Sequence, residues 1–248
     1  MNPDNSVKRF GTGPVFFTAI STILGAILFL RFGYAVGTLG FWGALLIILL
    51  GHSLTLPTAF AISELSTNKR VEGGGEYFII SRSFGLNIGA TIGIALYLSQ
   101  AISVAFYMIA FTESFEFLFN YFADRLNINL PRQVISIPSM LILGFIILKR
   151  GANLGVKALY IVVGILALSL ILFFLGKTEF GVASGNKLPV GDIRNMGNFF
   201  VVFAIVFPAF TGITAGVGLS GDLRNPSRSI PIGTTAAAIA GMIIYMAI

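Results

Sequence analysis

The residues best suited to chemistry lie inside long apolar runs. In the first run, Ser21 and Thr22 precede the small-residue segment Gly25-Ala26-Ile27. In a later run, residues 207–216 combine Pro208 with glycines and threonines. Proline lacks an N–H and clashes with the preceding turn, so a helix break is predicted near Pro208. A broken helix exposes N–H groups that attract anions and carbonyl groups that attract cations.

The two interruptions have two interpretations. Within a bilayer, non-helical backbone is tolerated only where protein or a water-filled cavity satisfies it. Paired interruptions at corresponding positions of two repeats are typical of transporter substrate sites, and these two runs would be the first and sixth spans of a five-plus-five inverted repeat. Small residues also line ordinary helix contacts. The match between the two interruptions favours a substrate site over packing.

A charged residue, Arg31, lies four positions beyond Ile27 in the same apolar run. An unpaired Arg in hydrocarbon costs on the order of 3 kcal/mol or more, so a carboxylate partner on another span is expected. Glu113, at the outer end of the third span, is the first candidate, and Glu116 is the second. The alternative is that Arg31 extends to the outer interface. Its place well before the end of the span favours the ion pair.

Two polar rings lie in other spans. A Tyr hydroxyl in hydrocarbon needs a partner. Tyr107, in the third span, can offer its oxygen to a cation or bond a neighbouring helix carbonyl, and the sequence leaves both open. His52, the single histidine, lies in the second span. No Asp or Glu is near it in the sequence, which favours a hydrogen-bonded packing role over proton relay.

These residues are carried by blocks of a length that crosses a bilayer. Of the 248 residues, 56% are hydrophobic and 10% charged, far from the 25% or so that is usual in soluble domains. Seven apolar blocks are predicted as spans, at about 14–36, 41–63, 86–112, 134–149, 156–176, 198–219 and 230–248. The last runs to Ile248 without a flanking charge, so the chain is expected to be part of a longer protein. The absence of cysteine excludes disulfides and thiolate metal sites.

The charges indicate topology. The net charge of +6 is spread over the block ends, with no basic stripe that would suit nucleic acid. With the N-terminus inside, the inner segments hold ten Lys and Arg and the outer segments five. The positive-inside rule therefore predicts a multi-pass cell-membrane protein with a cytoplasmic N-terminus. The segments at 113–132 and 177–197 are predicted as outer loops, and 68–84 as an inner linker with a short helix.

Three segments resemble the cation-chloride cotransporters. They are the linker at 68–85 with Gly73-Gly74-Gly75, the first-span segment at 25–31, and residues 220–231 after the sixth span. The related amino-acid permeases share a Gly-Gly-x-Tyr pattern and an Asn-Pro…Ile-Pro pattern. They usually carry paired acids where this chain has Ser220-Gly221-Asp222-Leu223, so the third segment is the most discriminating.

The resemblance implies an all-α membrane protein with the LeuT-like inverted-repeat fold. Residues 1–248 would be a partial transport domain, with the first repeat at 1–176 and the start of the second at 198–248. The implied activity is secondary active symport of chloride with potassium, sodium or both, by alternating access. The expected partners are these ions and the lipid bilayer, with a homodimer as a compatible assembly and no nucleic acid. No cofactor is expected, and no metal beyond the transported alkali cation.

The resemblance also implies site residues. A potassium-like cation would be held by the backbone of Thr22 and Ile23, the Tyr107 hydroxyl, the Pro208 carbonyl and Thr211. One chloride would bind the N–H groups of Gly25, Ala26 and Ile27, and a second those of Gly212, Ile213 and Thr214. Arg31 and Glu113 match a pair that closes an outer gate. The family commonly has Asn where this chain has Thr22, so the resemblance does not fix the identity of the cation.

Other functions are kept as alternatives. The first is an amino-acid or organic-cation permease of the same architecture, in which the first interruption would bind a carboxylate. The second is a non-transporting membrane subunit that assists a partner. An enzyme is disfavoured because the spans contain no acid/base pair and no metal-ligand cluster.

Overall fold

The computed structural model describes residues 10–68, 71–150, 152–176 and 196–248. These residues are almost entirely helical, as the sequence predicts, with one isolated parallel bridge between Phe10 and Leu223. The α-helices are α1 Thr12–Ile23, α2 Ala26–Asn68, α3 Gly75–Phe84, α4 Leu86–Glu113, α5 Glu116–Leu126, α6 Gln133–Arg150, α7 Ala152–Leu175, α8 Met196–Val206 and α9 Pro226–Ala247. A 3-10 helix, Phe207–Asp222, lies between α8 and α9.

The first span is interrupted where the sequence predicts. Helix α1 ends at Ile23 and α2 begins at Ala26. At the end of α1, the Leu24 N–H donates to the Ile20 carbonyl at 2.9 Å. At the start of α2, the Leu28 N–H donates to the Gly25 carbonyl at 3.1 Å. A side chain at Gly25 would approach the Thr22 carbonyl oxygen to 3.0 Å, so glycine allows the close turn between the two helices.

Helix α2 contains the rest of the first span and all of the second. Its 43 residues would extend about 65 Å, roughly twice the hydrocarbon thickness of a bilayer. Gly40, with φ 70° and ψ 179°, interrupts the helical backbone between the first two predicted blocks. A positive φ of this kind is readily available to glycine, so Gly40 marks the boundary between the two crossings.

The sixth span changes helix type at its predicted break. Helix α8 ends at Val206, and a 3-10 helix of 16 residues begins at Phe207, directly before Pro208. Such helices rarely exceed three or four residues. The sequence predicted an opened break, whereas the structure shows a tighter winding that keeps the backbone bonded after proline has removed one donor.

Three further predictions concern shorter elements. The short helix predicted in the inner linker is confirmed as α3. The segment 113–132, predicted as a loop, instead contains α5, which ends at Leu126 and is followed by Asn127 in the left-handed conformation. Seven of the cations used for topology lie outside the described residues: Lys8, Arg9, Lys69, Arg70, Lys177, Lys187 and Arg194. Most of the segment at 177–197, predicted as an outer loop, lies outside them as well.

The described residues contain five stretches that are long and apolar enough to cross a membrane, and the first of these includes both α1 and α2. The shorter apolar helix α6 is the predicted fourth block. The core forms where the first, second, sixth and seventh spans pack together. Close packing relies on small residues: a side chain at Gly216 or Gly233 would collide with Val15, and one at Gly51 with Phe210.

Candidate functional site

The interruption in the first span places two opposite helix ends next to each other. At the start of α2, the amides of Ala26 and Ile27 have no acceptor within the helix. The positive end of the helix dipole is also at this point, so an anion is favoured there. Ile27 is buried, while Gly25 and Ala26 are half-buried. The three amides expected to hold one chloride therefore lie together at the start of α2.

The end of α1 presents carbonyl groups. The Tyr245 hydroxyl, from α9, donates a hydrogen bond of 2.9 Å to the Ile23 carbonyl. The Thr22 hydroxyl donates to the Thr18 carbonyl at 2.8 Å, within its own helix. The side chain of Thr22 is thus turned back along α1, and its hydroxyl is bonded within its own helix.

The two interrupted spans meet at Gly212. A side chain at this position would lie 2.8 Å from Thr22 Cβ and 2.9 Å from the Ile23 nitrogen. The backbone of the 3-10 helix therefore rests directly against the end of α1. Thr22 and Ile23, which the resemblance assigned to the cation site, are thus in contact with Gly212, which it assigned to the second chloride site.

The remaining expected residues of the sixth span are bonded within that span. The Thr211 hydroxyl donates to the Pro208 carbonyl at 2.8 Å. Gly212 and Ile213 are buried and Thr214 is half-buried. In a 3-10 helix each N–H bonds the carbonyl three residues earlier, so these amides do not form the exposed helix end that was expected for a second chloride.

Tyr107 and Tyr245 lie on different spans. Tyr107, on α4, is 44% exposed, and its ring meets Phe106 edge-on. Tyr245, on α9, is 1% exposed. The sequence reasoning missed Tyr245, although the requirement that a buried phenol finds a partner applies to it as it does to Tyr107.

Arg31 forms the ion pair with Glu113 that the sequence predicted. One Arg31 guanidinium nitrogen lies 3.0 and 2.9 Å from the two Glu113 carboxylate oxygens. The side chains are 42% and 21% exposed. Glu116, the second candidate, instead pairs with Arg132 at 3.2 Å. The structure therefore selects Glu113 and links the part of the first span that follows the interruption to the end of the third.

His52 has the surroundings of a packing residue. It is buried, and its Nδ1 lies 2.9 Å from the Ile48 carbonyl of the preceding turn. Its ring centroid is 4.8 Å from that of Phe210. This environment fits the packing role that the sequence favoured.

A second contact joins the two segments that carry the family motifs. The Ser220 hydroxyl donates to the Glu72 carbonyl at 2.9 Å and accepts from the Gly75 N–H at 3.2 Å. Gly75 has a φ of 57°, and a side chain there would lie 3.3 Å from Gly218 Cα. We call this contact between residues 72–75 and 218–222 the clasp. This geometry explains why glycine stands at position 75 and serine at position 220 in the two motifs. The sequence alone did not reveal that the two segments are in contact.

The clasp is extended by backbone pairing and apolar packing. The Phe10 N–H donates to the Asp222 carbonyl at 3.1 Å, and the Arg224 N–H donates to the Phe10 carbonyl at 2.9 Å. A buried apolar cluster lies beside it, formed by Val15, Val71, Ile79, Val217, Leu223 and Ile230. The beginning of the first span, the end of the sixth and the linker are thereby held together.

Comparison with known proteins identifies the family. The sequence model described as amino acid permease matches residues 14–248. Solute carrier family 12 member 2 of Squalus acanthias is 35% identical over 258 residues, covering 98% of this chain and 21% of that protein. Human solute carrier family 12 member 1 is 33% identical and covers 98% of the chain and 23% of that relative. Member 9 from Xenopus laevis is 29% identical over 95% of the chain and 31% of the relative.

The chain thus spans about a fifth to a third of the length of these relatives. The match runs through both interrupted spans and the clasp, and it confirms the resemblance indicated by the sequence motifs. The chain belongs to the amino acid permease family, with the LeuT-like fold of that family and relatives among the cation-chloride cotransporters of solute carrier family 12.

Proposed function

We propose that the protein is a membrane transporter that moves chloride together with potassium, sodium or both by alternating access. The observation that carries the proposal is the interruption between Ile23 and Ala26, where the last carbonyls of α1 and the first amides of α2 lie next to each other and Gly212 packs against the end of α1. This arrangement offers adjacent places for a cation and an anion. The relatives in solute carrier family 12 support a membrane transporter.

Electrostatics makes binding of the two ions mutually dependent. At a separation of about 4–6 Å and an effective dielectric constant near 20, a cation and an anion attract each other by roughly 3–4 kcal/mol. Each ion raises the affinity for the other by the same factor. A single charge near the middle of a bilayer lacks this compensation. Doubly occupied protein should therefore change conformation more readily than singly occupied protein, which gives symport.

The proposed cation site uses the backbone of Thr22 and Ile23, the hydroxyls of Tyr107 and Thr211, and the Pro208 carbonyl. Carbonyl and hydroxyl oxygens each have two lone pairs, so the bonds that they form within the protein leave capacity for a cation. The proposed first chloride lies on the amides of Gly25, Ala26 and Ile27. A second, on Gly212, Ile213 and Thr214, would require the 3-10 helix to open locally.

Alternating access requires one closure on each side of the site. We propose that the Arg31–Glu113 pair closes the outer side and that the clasp around Ser220 closes the inner side. Each joins segments distant in the sequence through a few polar contacts: one ion pair outside, and two hydroxyl bonds with backbone pairing inside. Contacts of this size can form and break within a transport cycle.

The proposed topology places the N-terminus and the clasp in the cytoplasm and the Arg31–Glu113 pair at the outer face of a cell membrane. The excess of Lys and Arg in the inner segments supports this orientation. The proposed partners are inorganic ions and lipid, with a homodimer as the compatible assembly and no nucleic acid. The proposed chemistry needs no cofactor and no enzymatic step.

Tracer chloride and rubidium uptake into proteoliposomes containing the intact protein tests the proposal. We expect chloride uptake to require potassium, rubidium or sodium. A specific observation, the match to the amino acid permease family, favours amino-acid transport as the second candidate. Inhibition of chloride uptake by competing amino acids would support that candidate. Flux that appears only when a second chain is added would instead indicate an assisting subunit.

A further inference from the structure

Tyr245 is held against the interruption in the first span by its own packing. Only 1% of the residue is exposed, and its ring centroid lies 5.3 Å from that of Phe32 and 5.0 Å from that of Phe210. Both contacts are edge-on. The ring therefore has little freedom, and its hydroxyl is directed at the Ile23 carbonyl, which it meets at 2.9 Å.

One turn earlier on α9, Gly241 brings the two helices close together. A side chain at Gly241 would lie 2.6 Å from Ile23 Cγ2. Residues four apart lie on the same helix face, so Gly241 and Tyr245 contact Ile23 side by side. The same face of α9 thus fixes both the side chain and the carbonyl of Ile23.

The Ile23 carbonyl needs such a contact because of where α1 ends. The last carbonyls of a helix have no donor within it, and a buried carbonyl without a donor is costly. The Tyr245 hydroxyl supplies that donor. A carbonyl oxygen has two lone pairs, so a second remains for another ligand.

We propose that Tyr245 is a positioning residue for the cation site: its hydroxyl fixes the direction of the Ile23 carbonyl toward the ion. This inference rests on the proposed function, in which that carbonyl contacts the cation. Binding of the cation is thereby linked to the position of α9.

The test is the cation dependence of chloride uptake by the intact protein carrying Tyr245→Phe. This variant keeps the ring contacts and removes only the hydroxyl. Loss of one hydrogen bond should raise the half-saturating rubidium concentration about three- to tenfold. On the same reasoning, we expect the maximal rate to stay within about twofold of that of the wild type. The difference between the half-saturating concentrations of rubidium and sodium should become smaller. A lower maximal rate with unchanged half-saturation would overturn the proposal, because it indicates a structural role alone.

Tyr160→Phe is the matched control. Tyr160 also packs against α1, through Phe17 with ring centroids 5.1 Å apart. Its hydroxyl lies beside Gly13, at the other end of that helix from the interruption. Removing its hydroxyl should leave the half-saturating rubidium concentration unchanged. Rescue is tested with Tyr245→4-aminophenylalanine, which keeps a donor at the same ring position. Failure of this variant to restore cation affinity relative to Tyr245→Phe contradicts the role of the hydrogen bond.

Gly241→Ala tests the same contact if Tyr245→Phe does not fold. The added methyl group would displace Ile23 from α9, so it should raise the half-saturating rubidium concentration in the same direction. Unchanged half-saturation in this variant overturns the proposal. Uptake by the wild type distinguishes failure of the proposed function from failure of this inference. If chloride uptake by the wild type does not depend on cations, the proposed function is refuted and this inference with it. Cation-dependent uptake with no effect of these variants refutes this inference alone.

Discussion

Breaking the ion pair between Arg31 and Glu113 should slow transport in a way that reveals their direct contact. The pair joins the first span to the end of the third through one guanidinium nitrogen and both carboxylate oxygens. If it closes the outer side, Arg31→Ala and Glu113→Ala each destabilise the closed state. Removing the second partner after the first should then have little further effect.

The size of this coupling follows from the exposure of the pair. Unscreened charges 4 Å apart at an effective dielectric constant of 20 attract by about 4 kcal/mol, whereas fully exposed pairs contribute about 0.2–1 kcal/mol. Arg31 is 42% exposed and Glu113 is 21% exposed, so solvent screens much of the attraction. We expect a coupling free energy of about 1 kcal/mol, which corresponds to roughly fivefold in rate.

The assay is a double-mutant cycle on the initial rate of rubidium-dependent chloride uptake, normalised to the amount of protein in the membrane. The pair Arg132–Glu116 is a matched control, because it has the same chemistry at 3.2 Å but is 56% and 52% exposed. It should show little coupling. If the two Ala substitutions at Arg31 and Glu113 multiply in their effects on rate, the proposed gate contact is refuted.

Two further predictions concern the site and its inner closure. Tyr107→Phe should raise the half-saturating potassium concentration about fivefold, because it removes one proposed ligand worth about 1 kcal/mol. Protein yield should be unchanged. Unchanged activation by potassium would show that Tyr107 is not part of the site. Ser220→Ala removes two hydrogen bonds from the clasp, each worth about 0.5–1.5 kcal/mol. In a protein that carries Val217→Cys at this buried position, adding Ser220→Ala should increase labelling of the cysteine from the cytoplasmic side. Labelling equal to that of Val217→Cys alone would contradict inner closure by the clasp.

The sequence predicted the spans and the first interruption well because both depend on local composition. A bilayer requires long apolar helices, and these appear directly as blocks of hydrophobic residues. Gly25 interrupts one such block, and the helices on either side end and begin at Ile23 and Ala26. The short amphipathic helix α5 was missed because it lies between blocks and is too short to cross.

Contacts between distant segments could not be predicted in the same way. The hydrogen bonds of Ser220 with Glu72 and Gly75 join residues about 145 positions apart. The local periodicity of hydrophobic residues does not predict such a contact. Tyr245 and the Ile23 carbonyl are separated by 222 positions. In the sixth span, Pro208 correctly marked a change in the helix, but proline does not specify whether the following backbone opens or winds more tightly. The division into repeats at 1–176 and 198–248 stays a prediction.

The most direct test of coupled transport is a simultaneous measurement of chloride and rubidium tracers in proteoliposomes containing the intact protein. Replacing all external potassium, rubidium and sodium with an impermeant organic cation should reduce protein-dependent chloride uptake to background, and removing chloride should abolish protein-dependent rubidium uptake. Restoring both ions should restore both fluxes together. Chloride uptake that continues at its full rate without these cations would contradict the proposal that the interrupted first span binds the two ions as a pair.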